Sequence, residues 1–344
     1  MNKNSSRRNF IKKSILTTGV ASVGTIGFSA NSVISENSNS KLHREVWVSG
    51  ISQMDLVTKT PQLMVDEITN IIEKIVTYNP DIICLPEVFP FSNVQQQLSL
   101  SEKLEISREV LIHFSELAKK HNCYIICPTY TSENDKIYNS AVLFDRQGVR
   151  LGEYRKIHLT EEEINMGLYC GPSNPPLFKT DFGTIGIQIC FDIMWDDGWK
   201  KLKVQGAEIV FWPSAYAGGV DINTKARQHK YIVATSTHKN TSKICDFTGE
   251  VIAKTGIWED NYYCAPINME RAFLHIWPYV LNFDKIKKKY GRKIKITIYH
   301  EEEWAVIESL SPDILVSDVM KEFNFRTYDQ LVSESEIAQE KHRR

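Results

Sequence analysis

The sequence predicts an α/β protein in which helices cover a mixed β-sheet. Between residue 44 and about residue 282, short apolar runs alternate with longer stretches that repeat apolar residues at helical spacing. Turn signals such as Asp145-Arg146-Gln147-Gly148 also separate two β-rich runs without an intervening helix. Helical connections favour parallel strands and tight turns favour antiparallel ones, so the pattern predicts strands of both directions.

The individual elements follow from the same patterns of apolar residues. The predicted strands are Glu45–Ile51, Asp81–Leu85, Cys123–Cys127, Ile137–Phe144, Arg150–Lys156, Thr184–Cys190, Glu208–Trp212, Tyr231–Ser236, Ser242–Asp246 and Glu250–Ala253. The predicted helices are Gln62–Tyr78, Leu104–His121 and one that includes Trp199–Gln205. A further helix is expected from Ser311-Pro312 to Phe323, because serine caps helices and proline is favoured in the first turn.

Composition and charge restrict the class of partner. The chain has 344 residues, with 42% hydrophobic and 24% charged residues, as in a soluble globular protein. The formal net charge is −1, but the first 30 residues carry five basic residues and no acidic ones, which leaves a net charge of −6 on the rest. A mildly acidic body lacks the dense cationic face that nucleic acids require, so nucleic acid is not expected as a partner.

The N-terminal residues have the features of an export signal. Arg7-Arg8, within Ser6–Lys12, precedes an uncharged stretch from Ser14 to Ala30, in the manner of a twin-arginine signal. The stretch is too short and too weakly apolar for a membrane span. We therefore expect a signal peptide at residues 1–32 and a linker at 33–43. The twin-arginine translocase would carry the chain to a periplasmic or other extracytoplasmic location, and the mature chain would have no integral membrane segment.

Cysteine and histidine spacing predicts neither a metal site nor a redox motif. The seven cysteines are an odd number, so at least one thiol stays free even if disulfides form after export. No cysteine pair has the two-residue spacing of a zinc knuckle, and the nine histidines show no ligand spacing. We expect no metal and no cofactor.

Three segments place a reactive residue at the end of an apolar strand. They are Ile82-Ile83-Cys84-Leu85-Pro86-Glu87, Gly152-Glu153-Tyr154-Arg155-Lys156-Ile157-His158-Leu159 and Gly183-Thr184-Ile185-Gly186-Ile187-Gln188-Ile189-Cys190-Phe191-Asp192. Strand ends present side chains to a crevice while the sheet holds them rigid. The glutamate, the lysine and the cysteine are therefore candidates for one site.

Together these segments resemble the nitrilase superfamily of carbon–nitrogen hydrolases, which uses a Glu–Lys–Cys triad in this order. The resemblance covers roughly residues 44–270. It includes the landmarks Asn139-Ser140-Ala141, Gly206-Ala207-Glu208, Trp212-Pro213-Ser214-Ala215 and the turn at Asp246–Gly249. It implies a four-layer α-β-β-α sandwich, catalytic roles for Glu87, Lys156 and Cys190, and a homo-oligomer.

The chemistry of this triad is intelligible from its residue types. A free thiol has a pKa of about 8.5, so it needs a base or a nearby cation to react at neutral pH. Glu87 would accept the proton of Cys190 and later pass it to the leaving amine. The Lys156 ammonium, together with the backbone N–H of Phe191, would bind the oxyanion, as the resemblance implies.

Further site residues are less sharply defined by the sequence. The family often has a second glutamate after the lysine, and Glu161, Glu162 and Glu163 are all candidates; distance from the following Gly171-Pro172-Ser173 turn favours Glu163. Trp195, Trp212 and Tyr216 are candidates for lining the substrate pocket, although packing in the core explains tryptophans equally well.

The sequence therefore predicts a cysteine-dependent hydrolase of non-peptide C–N bonds. Cys190-Phe191-Asp192 departs from the Cys-Trp-Glu of true nitrilases, which favours a linear amide or N-carbamoyl substrate over a nitrile. Nitrile hydrolysis or acyl transfer on the same triad is the alternative, and an inactive binding or scaffold protein on the same fold is an alternative of another class. We expect the hydrolase domain at residues 44–282 and a C-terminal extension at 283–344.

Overall fold

Two six-stranded β-sheets pack face to face in the computed structural model, which describes residues 41–239 and 241–343. The strands are β1 (Glu45–Ile51), β2 (Ile82–Cys84), β3 (Tyr124–Glu133), β4 (Lys136–Phe144), β5 (Arg150–Arg155), β6 (Phe178–Lys179), β7 (Thr184–Ile187), β8 (Ile209–Ser214), β9 (Ile232–Thr237), β10 (Lys243–Cys245), β11 (Val251–Lys254), β12 (Tyr262–Asn268), β13 (Arg271–His275), β14 (Ile294–Tyr299) and β15 (Trp304–Ser309). The helices are α1 (Pro61–Ile75), α2 (Leu100–His121), α3 (Glu161–Asn165), α4 (Asp197–Gln205), α5 (Gly219–His229), α6 (Val280–Tyr290), α7 (Val316–Glu322) and α8 (Tyr328–Arg343).

The two sheets have the same mixed character. The first runs β12-β1-β2-β3-β4-β5 and the second β11-β10-β9-β8-β7-β6. The central strands β1, β2 and β3 are parallel, as are β7, β8 and β9, whereas the outer strands pair antiparallel. The predicted hairpin of β4 and β5 is confirmed.

The strands β2 and β8 carry apolar runs because both of their faces are buried. In β2, Ile82 and Cys84 join the cluster between the two sheets, whereas the intervening Ile83 packs with the helices α1 and α2. In β8, Phe211 belongs to the cluster between the sheets and Trp212 to the cluster beneath α4 and α5. Successive side chains of a strand point to opposite faces, so an unbroken apolar run fits a sheet covered on both sides. The predicted four-layer α-β-β-α sandwich is confirmed.

Hydrogen bonds near the carboxyl ends of the central strands join the two sheets. The Ser236 hydroxyl donates to the Ile51 carbonyl oxygen at 2.7 Å, and Ser52 forms a parallel bridge with Thr237. The strand ends of the two sheets are therefore held in a fixed relation. Side chains that follow these strands can meet from both sheets.

A third sheet, in the order β13-β15-β14, packs with α6 and α7 into a separate apolar cluster. Residue 283, where the extension was predicted to begin, lies inside α6, and β13 precedes it in the same sheet. Aromatic residues of this region surround Lys230 of the main body. The Lys230 ammonium lies 3.8 Å from the ring centre of Trp304 and 5.2 Å from that of Phe273, a cation–π arrangement that fixes the third sheet to the body.

The structure corrects two predicted boundaries of secondary structure. The helix predicted from Ser311-Pro312 begins at Val316, because the Glu270 carboxylate accepts the Val316 N–H at 2.7 Å and so caps the helix from another segment. The strand predicted to reach Cys190 ends at Ile187. Helices α3, α5 and α8 and strands β6, β12, β13 and β15 were not predicted.

The predicted signal peptide and most of the predicted linker lie outside the described residues. In the described ranges, no helix combines the length and the apolar content needed to span a bilayer.

Replacing Trp304 with alanine should destabilise the protein through loss of the contacts with Lys230 and Phe273. We expect the free energy of unfolding to fall by about 2–4 kcal/mol, somewhat less than for a fully buried tryptophan because the ring is partly exposed. Chemical denaturation measures the change. Trp258→Ala is the matched control: Trp258 is 69% exposed, and its loss should change stability by less than about 0.5 kcal/mol. Equal effects of the two substitutions would contradict the docking role of Trp304.

Candidate active site

Three polar side chains predicted from the sequence lie at strand ends and are nearly inaccessible to solvent. Glu87 follows β2, Lys156 follows β5 and Cys190 follows β7. Their residues are 4%, 2% and 7% exposed, respectively. Burial of a charged side chain is costly unless a partner compensates, so their surroundings decide whether the site is stable.

The Lys156 ammonium is the centre of the charged cluster. Its Nζ atom lies 2.8 Å from Glu87 Oε1, and 3.0 and 2.9 Å from the two carboxylate oxygens of Glu163. One ammonium therefore donates to two carboxylates, which it holds on either side. Charge-assisted hydrogen bonds of this kind are among the strongest in proteins.

The Asn139 side chain links the same two carboxylates. Its Nδ2 atom donates to Glu87 Oε1 at 2.9 Å and to Glu163 Oε1 at 2.7 Å. Both hydrogens of the amide are used in this way, which fixes the orientation of the amide and the spacing of the carboxylates. Asn139 was noted in the sequence only as a family landmark, and its contact with both glutamates was not predicted.

Glu163 is placed by the helix that it begins. Thr160 caps α3: its hydroxyl accepts the Glu163 N–H at 3.2 Å, and Glu163 Oε2 accepts the Thr160 N–H at 2.8 Å. Glu163 is buried, whereas Glu161 and Glu162 are exposed. The structure thus brings the favoured candidate of the three into the cluster. The Thr-x-x-Glu capping pattern was the sequence signal that distinguishes it.

The ionisation of Glu87 and Lys156 is set by their mutual attraction. Burial alone would raise the pKa of Glu87, but the charge of Lys156 and the hydrogen bonds from Lys156 and Cys190 contribute to an overall lowering of the pKa. Burial would likewise lower the pKa of Lys156, but the nearby acidic groups, led by Glu87, raise it. At neutral pH Glu87 is therefore a carboxylate and Lys156 an ammonium.

Cys190 lies at a sharp turn that directs its side chain toward this cluster. Its φ angle is 44°, in the left-handed region, at the start of a short 3-10 turn. The turn is held from both sides: the indole N–H of Trp212 donates to the Cys190 carbonyl oxygen at 3.0 Å, and Asp192 accepts the Ile189 N–H at 2.9 Å. Asp192 is fully buried and also accepts the Tyr154 hydroxyl at 2.6 Å. A rarely populated conformation is thus maintained by its neighbours.

The thiol of Cys190 is protonated in this environment. Burial and the negative charge of Glu87 raise its pKa to about 12, although Lys156 and Ser214 favour the thiolate. A hydrogen atom on sulfur is therefore available to the Glu87 carboxylate, whose own pKa is lowered in part by a hydrogen bond from Cys190. The arrangement pairs a thiol with a base that can receive its proton.

The backbone N–H of Phe191 lies in the first part of the Cys190 turn. The first hydrogen bond of that turn runs from Asp192 N to Ile189 O at 3.0 Å. The N–H of Phe191 comes one residue earlier, so it lies outside the hydrogen bonds that repeat within the turn. The side chain of Phe191 contacts Trp195 edge-on, with ring centres 5.1 Å apart.

The three predicted pocket residues differ in their positions. Trp195 is 41% exposed and stacks on His158 with ring centres 4.2 Å apart. Tyr216 is partly buried and packs against the apolar cluster that contains Cys190, and burial raises its pKa to about 12. Trp212 is fully buried, as expected for the alternative that its ring packs in the core. It supports the backbone of Cys190 instead.

His238 was not predicted and lies against the backbone of Glu87. It follows β9, and its Nε2 atom contacts the Glu87 carbonyl oxygen and, at 2.9 Å, the Ser92 hydroxyl. The available signal was a histidine shortly after a predicted strand.

The cluster has the groups required for acyl transfer to sulfur. It combines a protonated thiol, a carboxylate that can accept a proton and a fixed cation. The position between the two carboxylates, where a metal ion would bind, is filled by the Lys156 ammonium. Residues 41–239 and 241–343 contain no group of three side chains arranged to bind a metal ion.

Comparison with curated proteins finds partial matches to amide-cleaving enzymes. The chain is 32% identical over 162 residues to a β-ureidopropionase of Arabidopsis thaliana, covering 44% of this chain and 40% of that protein. It is 33% identical over 123 residues to an N-carbamoylputrescine amidase of Oryza sativa subsp. japonica, covering 35% and 41%. A deaminated glutathione amidase of Mus musculus is 34% identical over 149 residues, covering 38% and 45%. These matches span less than half of each relative.

Among solved structures, an amidase from Nesterenkonia sp. has a similar fold. It superposes with a TM-score of 0.59 at 17% identity, covering 64% of this chain and 90% of that chain. A variant of that enzyme carries the acetamide moiety of fluoroacetamide added covalently at its active-site cysteine, with a TM-score of 0.58 at 17% identity and coverage of 66% and 90%. The family model described as carbon-nitrogen hydrolase matches residues 50–273. Because this match extends over more than half of the sequence, the chain belongs to the carbon–nitrogen hydrolase family.

Proposed function

We propose that the protein is a cysteine-dependent hydrolase of linear amide or N-carbamoyl compounds. The observation that carries the proposal is the buried ammonium of Lys156, bonded to the carboxylates of Glu87 and Glu163, beside a thiol held in a left-handed turn. The relatives named for β-ureidopropionase, N-carbamoylputrescine amidase and deaminated glutathione amidase activity support this substrate class.

The first half of the reaction is the transfer of the acyl group to sulfur. Cys190 Sγ attacks the carbonyl carbon as Glu87 takes the thiol proton, because a thiol with a pKa of about 12 does not ionise before attack. The negative charge moves to the carbonyl oxygen, where the Lys156 ammonium and the Phe191 N–H stabilise it. Glu87 then returns the proton to the nitrogen. The C–N bond breaks, ammonia or an amine leaves, and a thioester remains.

The second half is hydrolysis of this thioester. Glu87 accepts a proton from a water molecule as its oxygen attacks the thioester carbon. The C–S bond breaks, the proton returns to sulfur, and the acid is released. Glu163 does not take part in proton transfer here: with Asn139 it holds Lys156 charged and in position.

An inactive scaffold would not require this arrangement. Two carboxylates and one ammonium buried together carry a net negative charge, and their desolvation is less favourable than apolar packing of the same volume. Strongly shifted pKa values of this kind concentrate at functional sites. The cluster therefore favours catalysis over the scaffold alternative.

We further propose that residues 1–32 act as a twin-arginine export signal, that the mature enzyme works outside the cytoplasm, and that it forms a homo-oligomer. The first two proposals rest on the twin-arginine motif and the uncharged stretch that follows it. The third rests on the family resemblance alone.

Replacing Cys190 with alanine should abolish hydrolysis because no other group supplies the nucleophile. We expect ammonia release from a panel of linear amides and ureido acids to fall by roughly a thousandfold or more. Cys170→Ala is the control: Cys170 is an exposed free cysteine, and its replacement should leave the rate within about twofold. Unchanged ammonia release from the Cys190 variant would reject the proposed nucleophile.

Glu163→Gln should lower kcat while leaving the fold intact. The amide keeps the size of the side chain but removes the charge that helps hold Lys156 as an ammonium, and we expect a decrease of about 10- to 100-fold. Steady-state kinetics with the best amide of the panel measures it. Glu162→Gln changes an exposed neighbour on the same helix and should have no comparable effect. Equal rates for the two variants would exclude a role for Glu163.

The dependence of kcat/KM on pH should show an acid limb below the ordinary glutamate pKa of 4.5. Only the carboxylate form of Glu87 accepts the thiol proton, so activity is lost as the pH falls through its pKa, and Lys156 holds that pKa low. Circular dichroism at each pH separates this loss from acid unfolding. An acid limb with its midpoint above 4.5 in the folded protein would contradict the assignment of Glu87 as the base.

A further inference from the structure

The backbone of Glu87 is held from outside its own strand by His238. The His238 Nε2 atom contacts the Glu87 carbonyl oxygen, and the Ser92 hydroxyl lies 2.9 Å from the same nitrogen. A carbonyl oxygen accepts hydrogen bonds and cannot donate, so Nε2 carries the hydrogen. The main-chain N–H of His238 donates to the Ser214 carbonyl oxygen at 3.0 Å, which ties the histidine to the end of β8.

The peptide group that His238 contacts is next to a residue with a strained backbone. Glu87 is followed by Val88, whose φ and ψ angles are 35° and 40°. A β-branched residue in this left-handed region is a steric outlier. The φ angle of Val88 is the rotation about its N–Cα bond, and Val88 N lies in the same planar peptide group as the Glu87 carbonyl. A change in this φ angle therefore changes the direction of the Glu87 carbonyl oxygen. A donor fixed on the Glu87 carbonyl oxygen therefore opposes relaxation of Val88.

Relaxation at Val88 would act directly on the carboxylate of Glu87. That carboxylate has a narrow set of contacts, with Lys156 at 2.8 Å and Asn139 at 2.9 Å, and it faces the Cys190 thiol. Rotation of the adjacent peptide group would displace these contacts. Misplacement of a reacting group by about 1 Å can cost on the order of a hundredfold in rate.

We propose that His238 is a positioning residue for the reaction: its Nε2–H holds the Glu87–Val88 peptide group in a strained conformation, so that the Glu87 carboxylate stays aligned between Cys190 and Lys156. This inference rests on the proposed function. His238 itself does not touch the substrate. Burial lowers the pKa of His238, although the charge of Glu87 opposes it, so at neutral pH the histidine donates its hydrogen bond as a neutral ring.

A matched pair of substitutions tests this role. Glutamine places an amide N–H close to the position of Nε2, whereas methionine has a similar length and shape but no donor. For His238→Met we expect kcat to fall by about 10- to 100-fold, with KM changed by less than about threefold. The acid limb of kcat/KM should move to higher pH. In a Glu87 displaced from Lys156, burial still raises the pKa of the carboxyl group, but the Lys156 charge lowers it less. His238→Gln should retain kcat within about threefold and keep the acid limb of the wild type.

The coupling to Val88 gives a second, independent comparison. Asparagine tolerates the left-handed conformation far better than valine. Val88→Asn should therefore restore part of the activity lost in His238→Met. If the methionine variant does not fold, His238→Asn replaces it with the same expectation, since its shorter amide does not reach the Glu87 carbonyl oxygen.

The rate at which iodoacetamide alkylates Cys190, followed by mass spectrometry across a pH series, separates this inference from the proposed function. If the wild type releases no ammonia from any amide, ureido acid or nitrile, the hydrolase proposal fails, but a slower and pH-shifted alkylation in His238→Met, with wild-type behaviour in His238→Gln, still supports the positioning role. Wild-type kinetics and alkylation in His238→Met would overturn it. So would equal defects in the two variants when both have the thermal stability of the wild type.

Discussion

The buried contact of the Lys156 ammonium with two carboxylates is the interaction on which the rest of the site depends. Removing three charges from water costs several kcal/mol for each ion, and only close, well-directed partners compensate for it. The structure provides them: Asn139 donates to both carboxylates, and the Thr160 N–H donates to Glu163. The partners come from three stretches of chain: Glu87 follows β2, Asn139 lies in β4, and Lys156, Thr160 and Glu163 follow β5. The cluster therefore forms only when the strands of the first sheet are assembled.

The two-sheet architecture meets this requirement because it brings strand ends from both sheets to one place. Glu87 and Lys156 follow strands of the first sheet, whereas Cys190 and His238 follow strands of the second. The apolar side chains between the sheets exclude water from the space beneath the charged cluster of Lys156, Glu87 and Glu163. They also fix the distance between the two sheets. A low local dielectric strengthens the ion pairs and raises the pKa of the thiol at the same time. Burial thus strengthens the attraction between Glu87 and Lys156 and keeps the Cys190 thiol protonated.

Two backbone strains are maintained at this junction, and both lie next to reacting groups. Cys190 and Val88 have positive φ angles, and each is adjacent to a buried hydrogen-bond network that holds it. Strained residues of this kind persist only where the surrounding structure over-determines them. A thiol that stays protonated until a substrate arrives is also less readily oxidised than a thiolate, which suits an enzyme that we propose to work outside the cytoplasm.

The sequence by itself determined the class of fold and most of the central strands, and it was sufficient to select Glu87, Lys156 and Cys190 as candidates for one site. These depend on local features: apolar runs, and reactive side chains at their ends. Glu163 was favoured among its neighbours, and a local capping pattern was sufficient to distinguish it. Only the tertiary structure decided the parts that depend on distant segments. Trp212 is a buried support for Cys190, the last short helix is capped by Glu270, and His238 reaches the backbone of Glu87 from 151 positions away. No local pattern encodes such contacts, since each joins segments that are separated along the chain and come within hydrogen-bonding distance only in the folded protein.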